Sequence, residues 1–336
     1  MFDKMGHRLV DLGQRARPVT LYMRSAVLSN YGALAATLGL DPVAMLSRVT
    51  LPRQALTSAD LRIPAEAVLT LLELSARESG EQAFGLRLAE TRKLSTLGLV
   101  GMAARDEPTL RDALGTMVRH GWRHNESLAS RLEEADGVAV LTQEFLPASA
   151  AGRQSVELAA GAIHRILRLI LGVDWSARVV SFTHRPPADL GVHRRLFGSS
   201  VRFSQDFNGV VLRSSDLDTP MVMADPVMQG YAHRMLIEAT ATERTKVRYE
   251  VQQLILALLP TGRCNADEVA LHMGIDRRTV HRRLVREGCT FSSLLQQTRE
   301  QLVQRHLSDG GRRLSDIAPL LGFSSLSAFS RWRKTP

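Results

Sequence analysis

The chain has 336 residues and 37.1 kDa, with 44 % apolar and 23 % charged residues, which fits an ordinary folded protein of two domains and not a disordered one. A formal charge of +9 and a pI near 10.3 favour an anionic partner, and two cysteines outside any CxxC pair, Cys264 and Cys289, exclude a disulfide framework and a zinc pattern. No window reaches 18 uninterrupted apolar residues and the N-terminal MFDKMGHRLVDLGQRARP has no apolar h-region, so a cytoplasmic protein with no membrane span is expected.

Residues 1–20 read as a flexible basic lead-in. From Met23 to Leu38 the apolar residues fall at helical spacing, and Gly39 closes that helix. Asp41-Pro42 supplies an N-cap and a proline for the first helical position, and Ile63-Pro64 opens a helix running to about Gly80. Between Ser127 and Phe145 two strands flank Asp136-Gly137, a strong hairpin signal. Gln154–Leu171 predicts an amphipathic helix with Val156, Ala160, Ile163, Leu167 and Ile170 on one face. ARVVSFTHRPP and VRFSQDFNGVVLRSS are strand-like, with a short helix around Val192–Phe197 between them. From Pro226 onward only helical patterns remain. The reading is an α+β domain over 21–240 followed by an all-α domain over 241–336.

Most of the charge excess lies in the second of these. Residues 241–336 hold 16 Lys/Arg against 9 Asp/Glu, a net of +7, whereas the preceding 240 residues net +2. That region also contains a repeat. DEVALHMGIDRRTVHRRL aligns with SDIAPLLGFSSLSAFSRWR, so that Val269, Ala270, Met273, Gly274 and Ile275 match Ile317, Ala318, Leu321, Gly322 and Phe323. Ala270 and Ala318 let two helices approach closely. Gly274 and Gly322 can take the left-handed backbone that ends the first helix, and Asp276 and Ser324 or Ser325 can cap the second. Each copy is thus a helix–turn–helix, over about 266–288 and 314–333, the form that presents a recognition helix to the major groove. Between them, Phe291–Leu307 predicts one helix of 17 residues, roughly 25 Å long. With offsets at both ends, such a spacer suits two grooves about 34 Å apart.

These signatures, MGIDRRTVHRRLVREGCTFSSLLQQTREQL and LSDIAPLLGFSSLSAFSR, resemble the AraC/XylS-type transcription regulators over about residues 245–331. Further forward, LGLDP, LRIPAEAVLTLLE, GLRLAE and VSFTHRPP…LFGSSVRFSQDFNGVVL resemble the arabinose-binding-type sensor domain of one branch of that family. The resemblance implies two helix–turn–helix units joined by a long helix, and a fused effector-binding or dimerisation region over about 20–225. It also implies an activator that acts as a homodimer on double-stranded promoter DNA, with RNA polymerase and a small-molecule effector as partners. It implies no cofactor, no metal and no membrane.

Val280 and Leu284 face inward on the first recognition helix, which puts Arg278, His281 and Arg282 outward as base readers. The resemblance places base contacts at the same positions. Arg277, Arg283 and Arg286 fall to phosphates, which contribute affinity without sequence choice. On the second helix Leu326, Ser327 and Arg331 take the outward positions. Arg299, where the family places an arginine, fits either a phosphate contact or an intra-domain salt bridge. Two departures stand out. Pro319 falls in the first turn of its helix, and Arg333 stands where the family has an apolar anchor. Either Trp332 takes over that packing, or the second unit, lacking the family's closing helix after Thr335-Pro336, is less stable.

No P-loop, dinucleotide fingerprint, GxSxG elbow or HExxH motif occurs, so no catalytic residues are assigned. In the front domain His120, Trp122 and His124 could line a ligand site, although ordinary structural positions are the simpler reading. His164 and His184 are singletons, and Arg185 or Arg194 could pair a carboxylate ligand. Three functions remain open at this level. They are an effector-controlled regulator, an orphan regulator whose front domain only dimerises, and an enzyme tethered to DNA by its C-terminal units.

Overall fold

The computed structural model describes residues 20–145, 152–242, 247–259, 262–273, 275–308 and 314–334; all but the last residue of the 1–20 lead-in lies outside them, as does Gly274. The helix expected from Met23 is interrupted. Tyr22–Arg24 (β1) is extended and pairs antiparallel with Arg62–Pro64 (β2), Met23 opposite Ile63, and only Tyr31–Thr37 (α1) is α-helical. Asn30, just before α1, has φ 61°, a left-handed backbone that a continuous helix does not pass through. Met23, Leu28, Tyr31 and Ala35 are all buried, so the apolar spacing reports burial and not one helix.

Pro42–Arg48 (α2) begins where Asp41 Oδ1 accepts from the N–H groups of Val43 and Ala44. Ala65–Ser79 (α3) stops at Gly80, φ +73°. Phe84–Ala89 (α4), Leu99–Arg105 (α5) and Leu110–His120 (α6) lead to a hairpin of Leu128–Ala135 (β3) and Val138–Phe145 (β4). Its turn residues Asp136 and Gly137 are both left-handed, at φ 52° and 75°, as a tight hairpin turn requires. Arg153–Leu171 (α7), Val179–Ser181 (β5), Gly191–Phe197 (α8), Val201–Arg202 (β6) and Gly209–Arg213 (β7) follow. The larger sheet runs β3-β4-β7-β5-β6 and is antiparallel except between β5 and β6.

The α7 helix is buried on more than the single face expected. Leu158 and Ala159 join an apolar cluster with α1 to α4, while Ala160, Ile163 and Leu167 join a second cluster under the sheet. It is a wedge between two cores, and its contact with α4 depends on small residues. A Cβ on Gly85 would lie 2.0 Å from the Gln154 carbonyl oxygen, and one on Gly161 would lie 2.7 Å from Ala89 Cβ. Because the obstacle at Gly85 is backbone, Gly85→Ala is expected to cost about 3 kcal/mol, the upper end of ordinary overpacking. Chemical denaturation of the full chain measures this; a loss under about 1 kcal/mol would mean that α4 and α7 slide apart freely.

Pro226–Thr242 (α9) packs back on α5, with Ala232 and Leu236 against Val100 and Ala103. A polar tie reinforces it. Glu107, only 4 % exposed, accepts from Thr116 Oγ1, from Gln229 Nε2 at 2.7 Å and from His233 Nε2 at 2.8 Å.

Beyond α9 the described elements are all helical: Val247–Leu258 (α10), Ala266–His272 (α11), Arg277–Arg286 (α12), Phe291–Ser308 (α13), Leu314–Leu320 (α14) and Leu326–Lys334 (α15). Val251, Ile255, Val280, Leu284, Ile317 and Phe329 belong to one core here. Among the described residues no apolar cluster mixes side chains from before residue 237 with those after 246. The fold is α+β followed by all-α.

Candidate functional site

The first helix–turn–helix is α11 and α12. Asn265 Oδ1 caps α11 by accepting from the N–H groups of Asp267 and Glu268. Asp276 caps α12 with both carboxylate oxygens, one on Thr279 N–H at 2.8 Å and one on Thr279 Oγ1 at 2.7 Å. Those hydrogen bonds, with the helix N-terminus itself, hold the Asp276 carboxyl below its ordinary range. Gly288, φ +72°, closes α12 with Cys289 N–H donating to Leu284 C=O. The last tie is Glu287, whose carboxylate accepts from Val247 and Arg248 N–H at the start of α10. A negative group at a helix N-terminus is favourable, and here it fixes the recognition helix on the central helix of the core.

Val280 and Leu284 are buried, and Arg277, Arg278, His281, Arg282, Arg283 and Arg286 are all exposed. At about 100° per residue, Arg282 points directly away from the buried pair, Arg278 and Arg286 lie about 40° to either side of it, and His281 lies about 100° round the helix. Arg277 Nη1 lies 3.2 Å from Asp267 Oδ2, an exposed pair that contributes little. Arg278, Arg282 and Arg286 have no carboxylate partner among the described residues.

The α13 helix spans 18 residues, roughly 27 Å, and carries Leu294, Thr298, Leu302 and Val303 into the core. Arg299 on it turns inward. Its Nε donates to Leu321 C=O at 3.0 Å and its guanidinium sits 4.3 Å from the centre of the Phe323 ring. It therefore holds the second unit to the linking helix through a carbonyl and a ring, and among the described residues it makes no salt bridge of the kind considered from sequence.

In that second unit Gly322 has φ +72°, and a Cβ there would come within 2.8 Å of the Leu259 carbonyl oxygen, so both backbone and space call for glycine. Ser325 Oγ accepts from Ala328 N–H at the start of α15. Pro319 is placed differently from the expectation: α14 begins at Leu314, so the proline is its sixth residue of seven and not in the first turn. The missing N–H does little harm because the helix ends one residue later. Trp332 takes over the packing that Arg333 does not provide. Phe323, Phe329 and Trp332 form a cluster with ring centres 5.3 to 5.9 Å apart, and Trp332 Nε1 donates to Gln296 Oε1. Leu326, Ser327 and Arg331 are exposed on α15, as is Arg333.

The front region holds a cavity of about 110 Å³ between α3, α7 and the β3–β4 hairpin, walled chiefly by aliphatic side chains such as Val68, Leu72, Leu158 and Ile163. Its polar lining includes Arg92, His124 and Gln143. Of the histidines singled out from sequence, only His124 lines it. His164 is packed between Trp175 and Phe197, and burial lowers its pKa to about 4. His184 faces Glu157, which also accepts from buried His193 at 2.9 Å. Arg185 and Arg194 are exposed at the surface, away from the cavity. Arg92 and Gln143 were not legible from sequence, because neither belongs to a motif and the chain brings them together from distant positions.

Residues 39–221 match the arabinose-binding domain of AraC transcription regulators (the N-terminal region), and residues 269–335 match a helix-turn-helix domain. The chain is 31 % identical to the HTH-type transcriptional regulator VirS of Mycobacterium tuberculosis, over 92 % of each protein. It is 26 % identical to the ornithine utilization regulator of Pseudomonas aeruginosa over 75 % of each. The crystal structure of the transcriptional regulator CdpR from Pseudomonas aeruginosa is similar with a TM-score of 0.44 at 18 % identity, covering 87 % of this chain and 93 % of that one. These relatives are regulators and not enzymes, which removes the DNA-tethered enzyme from consideration. Among the described residues no helix is long and apolar enough to cross a membrane. The basic recognition helix, the paired helix–turn–helix units and the matched N-terminal domain together make this chain a DNA-binding member of the AraC family of transcription regulators.

Proposed function

We propose that the protein is an effector-controlled activator that binds promoter DNA as a homodimer and contacts RNA polymerase there. In this reading residues 21–240 sense and dimerise while residues 241–336 read DNA. Arg278, His281 and Arg282 contact bases from α12, Leu326, Ser327 and Arg331 contact bases from α15, and Arg277, Arg283 and Arg286 contact phosphates. Arg299 is left out of the phosphate set because its guanidinium is already held against Leu321 and Phe323. The observation that carries the reading is the exposed face of Arg278, Arg282 and Arg286 on α12, which have no carboxylate partner among the described residues, opposite a buried Val280–Leu284 stripe.

Control from the front domain has its own support. Leu97 and Met117 line the cavity and also pack on the cluster that holds Ala232 and Leu236 of α9, the helix leading to the DNA-binding region. A ligand acts only through a difference in affinity between two arrangements, and a wall shared with α9 is where such a difference can arise. Homodimerisation is supported by the exposed apolar side chains of α9, among them Tyr231, Met235 and Ile237.

Genome-wide footprinting followed by salt titration at one footprinted site tests the DNA reading. Three phosphate contacts per protomer give a log–log salt slope of about −3 per protomer. A flat salt response, or no sequence preference, would sink it. Transcription from the footprinted promoters should fall when the protein is removed; a rise would make it a repressor.

A further inference from the structure

We propose that the front-domain cavity takes a small organic acid with an apolar body, its carboxylate at Arg92, and not a sugar. This rests on the effector-controlled reading above and names the ligand class of that site.

Three arginines surround His124 closely enough to disfavour its protonation: Arg24, Arg92 and Arg62. Two of them have carboxylate partners, Arg24 with Asp60 and Arg62 with Glu126. Arg92 has none among the described residues. Its guanidinium, 4 % exposed, donates to the backbone carbonyls of Ala26, Val27 and Ser29, which orient it without neutralising it. A buried cation facing a cavity without a counter-ion is costly unless an anion completes it.

Two further polar groups of the lining are unfinished. His124 Nδ1 and Gln143 Oε1 are buried and have no hydrogen-bond partner. Burial and the neighbouring guanidinium groups lower His124 to a pKa of about 3, so its ring is neutral and offers one N–H and one lone pair. Gln143, 9 % exposed, can turn its terminal amide through 180° and present its NH₂ in place of its oxygen. Arg92, His124 and Gln143 thus supply a buried positive charge and neutral donors; Lys93, Thr96, Asn125 and Ser155 are the other polar lining, and the remaining wall is mostly apolar.

The apolar part of the wall argues against a polyol. A sugar needs a partner for each buried hydroxyl, and an unpaired one costs about 1–3 kcal/mol. Leu72, Leu128, Phe145, Leu158 and Ile163 offer none. An alkyl or aryl body meets no such penalty there. The volume of about 110 Å³ is several times the 10–15 Å³ that one water needs, which suits a short chain or a single ring.

Thermal-shift and calorimetric titration of the full chain with hexanoate, octanoate, decanoate and phenylacetate test the class. Octanamide serves as the neutral isostere and L-arabinose as the sugar. At least one acid of the series should raise the melting temperature and bind at least tenfold more tightly than its amide. Arg92→Gln should abolish that preference for the charged form, as read by acid and amide binding equally. If Arg92→Gln does not fold, Gln143→Leu replaces it, with an expected loss of several-fold in acid affinity and less in amide affinity. Binding of arabinose without any acid, binding of none of the acids, or an acid preference untouched by both variants would overturn the proposal. Operator binding measured with and without the acid separates the two readings. An acid that binds without altering operator affinity defeats effector control and leaves the ligand class standing.

Discussion

Replacing Arg278 and Arg282 together with alanine is expected to weaken binding to a specific promoter site by two to four orders of magnitude. Each arginine that reads a guanine edge contributes about 1–3 kcal/mol of discrimination. Both side chains are exposed on the side of α12 opposite Val280 and Leu284, and neither has a carboxylate partner among the described residues, so their removal leaves the core intact. The melting temperature should therefore stay within a degree or two while the ratio of specific to non-specific affinity collapses. Arg283→Ala with Arg286→Ala is the contrasting pair. It should weaken specific and non-specific DNA alike and make the salt slope about two units shallower. Competition binding on matched and scrambled duplexes distinguishes the two pairs; an unchanged specificity ratio in the first would move the reading face off Arg278 and Arg282.

The second large effect concerns α15. Phe329→Ala is expected to cost about 3–5 kcal/mol, since the ring is fully buried and touches both Phe323 and Trp332. That loss falls on the second helix–turn–helix, because Phe323 is also the ring on which Arg299 rests. The expected readout is a footprint cut to the half contacted by α12, together with a lower melting temperature. A cost under about 1 kcal/mol would show that Phe329 is dispensable and that Trp332 with Gln296 holds α15 alone.

The sequence was most informative where structure is decided locally. The two helix–turn–helix copies were legible because caps, inward apolar pairs and, in the second copy, the turn glycine Gly322 lie within about twenty residues of one another. The hairpin at Asp136-Gly137 and the start of α2 at Asp41-Pro42 were legible for the same reason. Errors arose where a distant partner overrode local spacing. Met23 alternates into β1 because Ile63 lies beside it, and a helical period cannot report a strand partner forty residues away. Pro319 was misplaced by a helix start that lies at Leu314. Arg299 has two plausible surroundings from sequence, and the Leu321 carbonyl and Phe323 ring that it meets are neither of them. The cavity was the least legible feature. Arg92, His124 and Gln143 come from separate segments, and what distinguishes Arg92 is that no carboxylate among the described residues pairs with it, which no pattern along the chain encodes.

Glu107 sets a condition on how α9 can move. Its carboxylate is held at once by Thr116, Gln229 and His233, and the last two are four residues apart on α9. Partial lifting of the helix would leave a nearly dry negative charge short of a donor, at a cost on the order of 1–3 kcal/mol per lost hydrogen bond. Intermediate positions are therefore the expensive ones. Lifting the helix away from α5 therefore has to break the contacts of both Gln229 and His233 with one carboxylate.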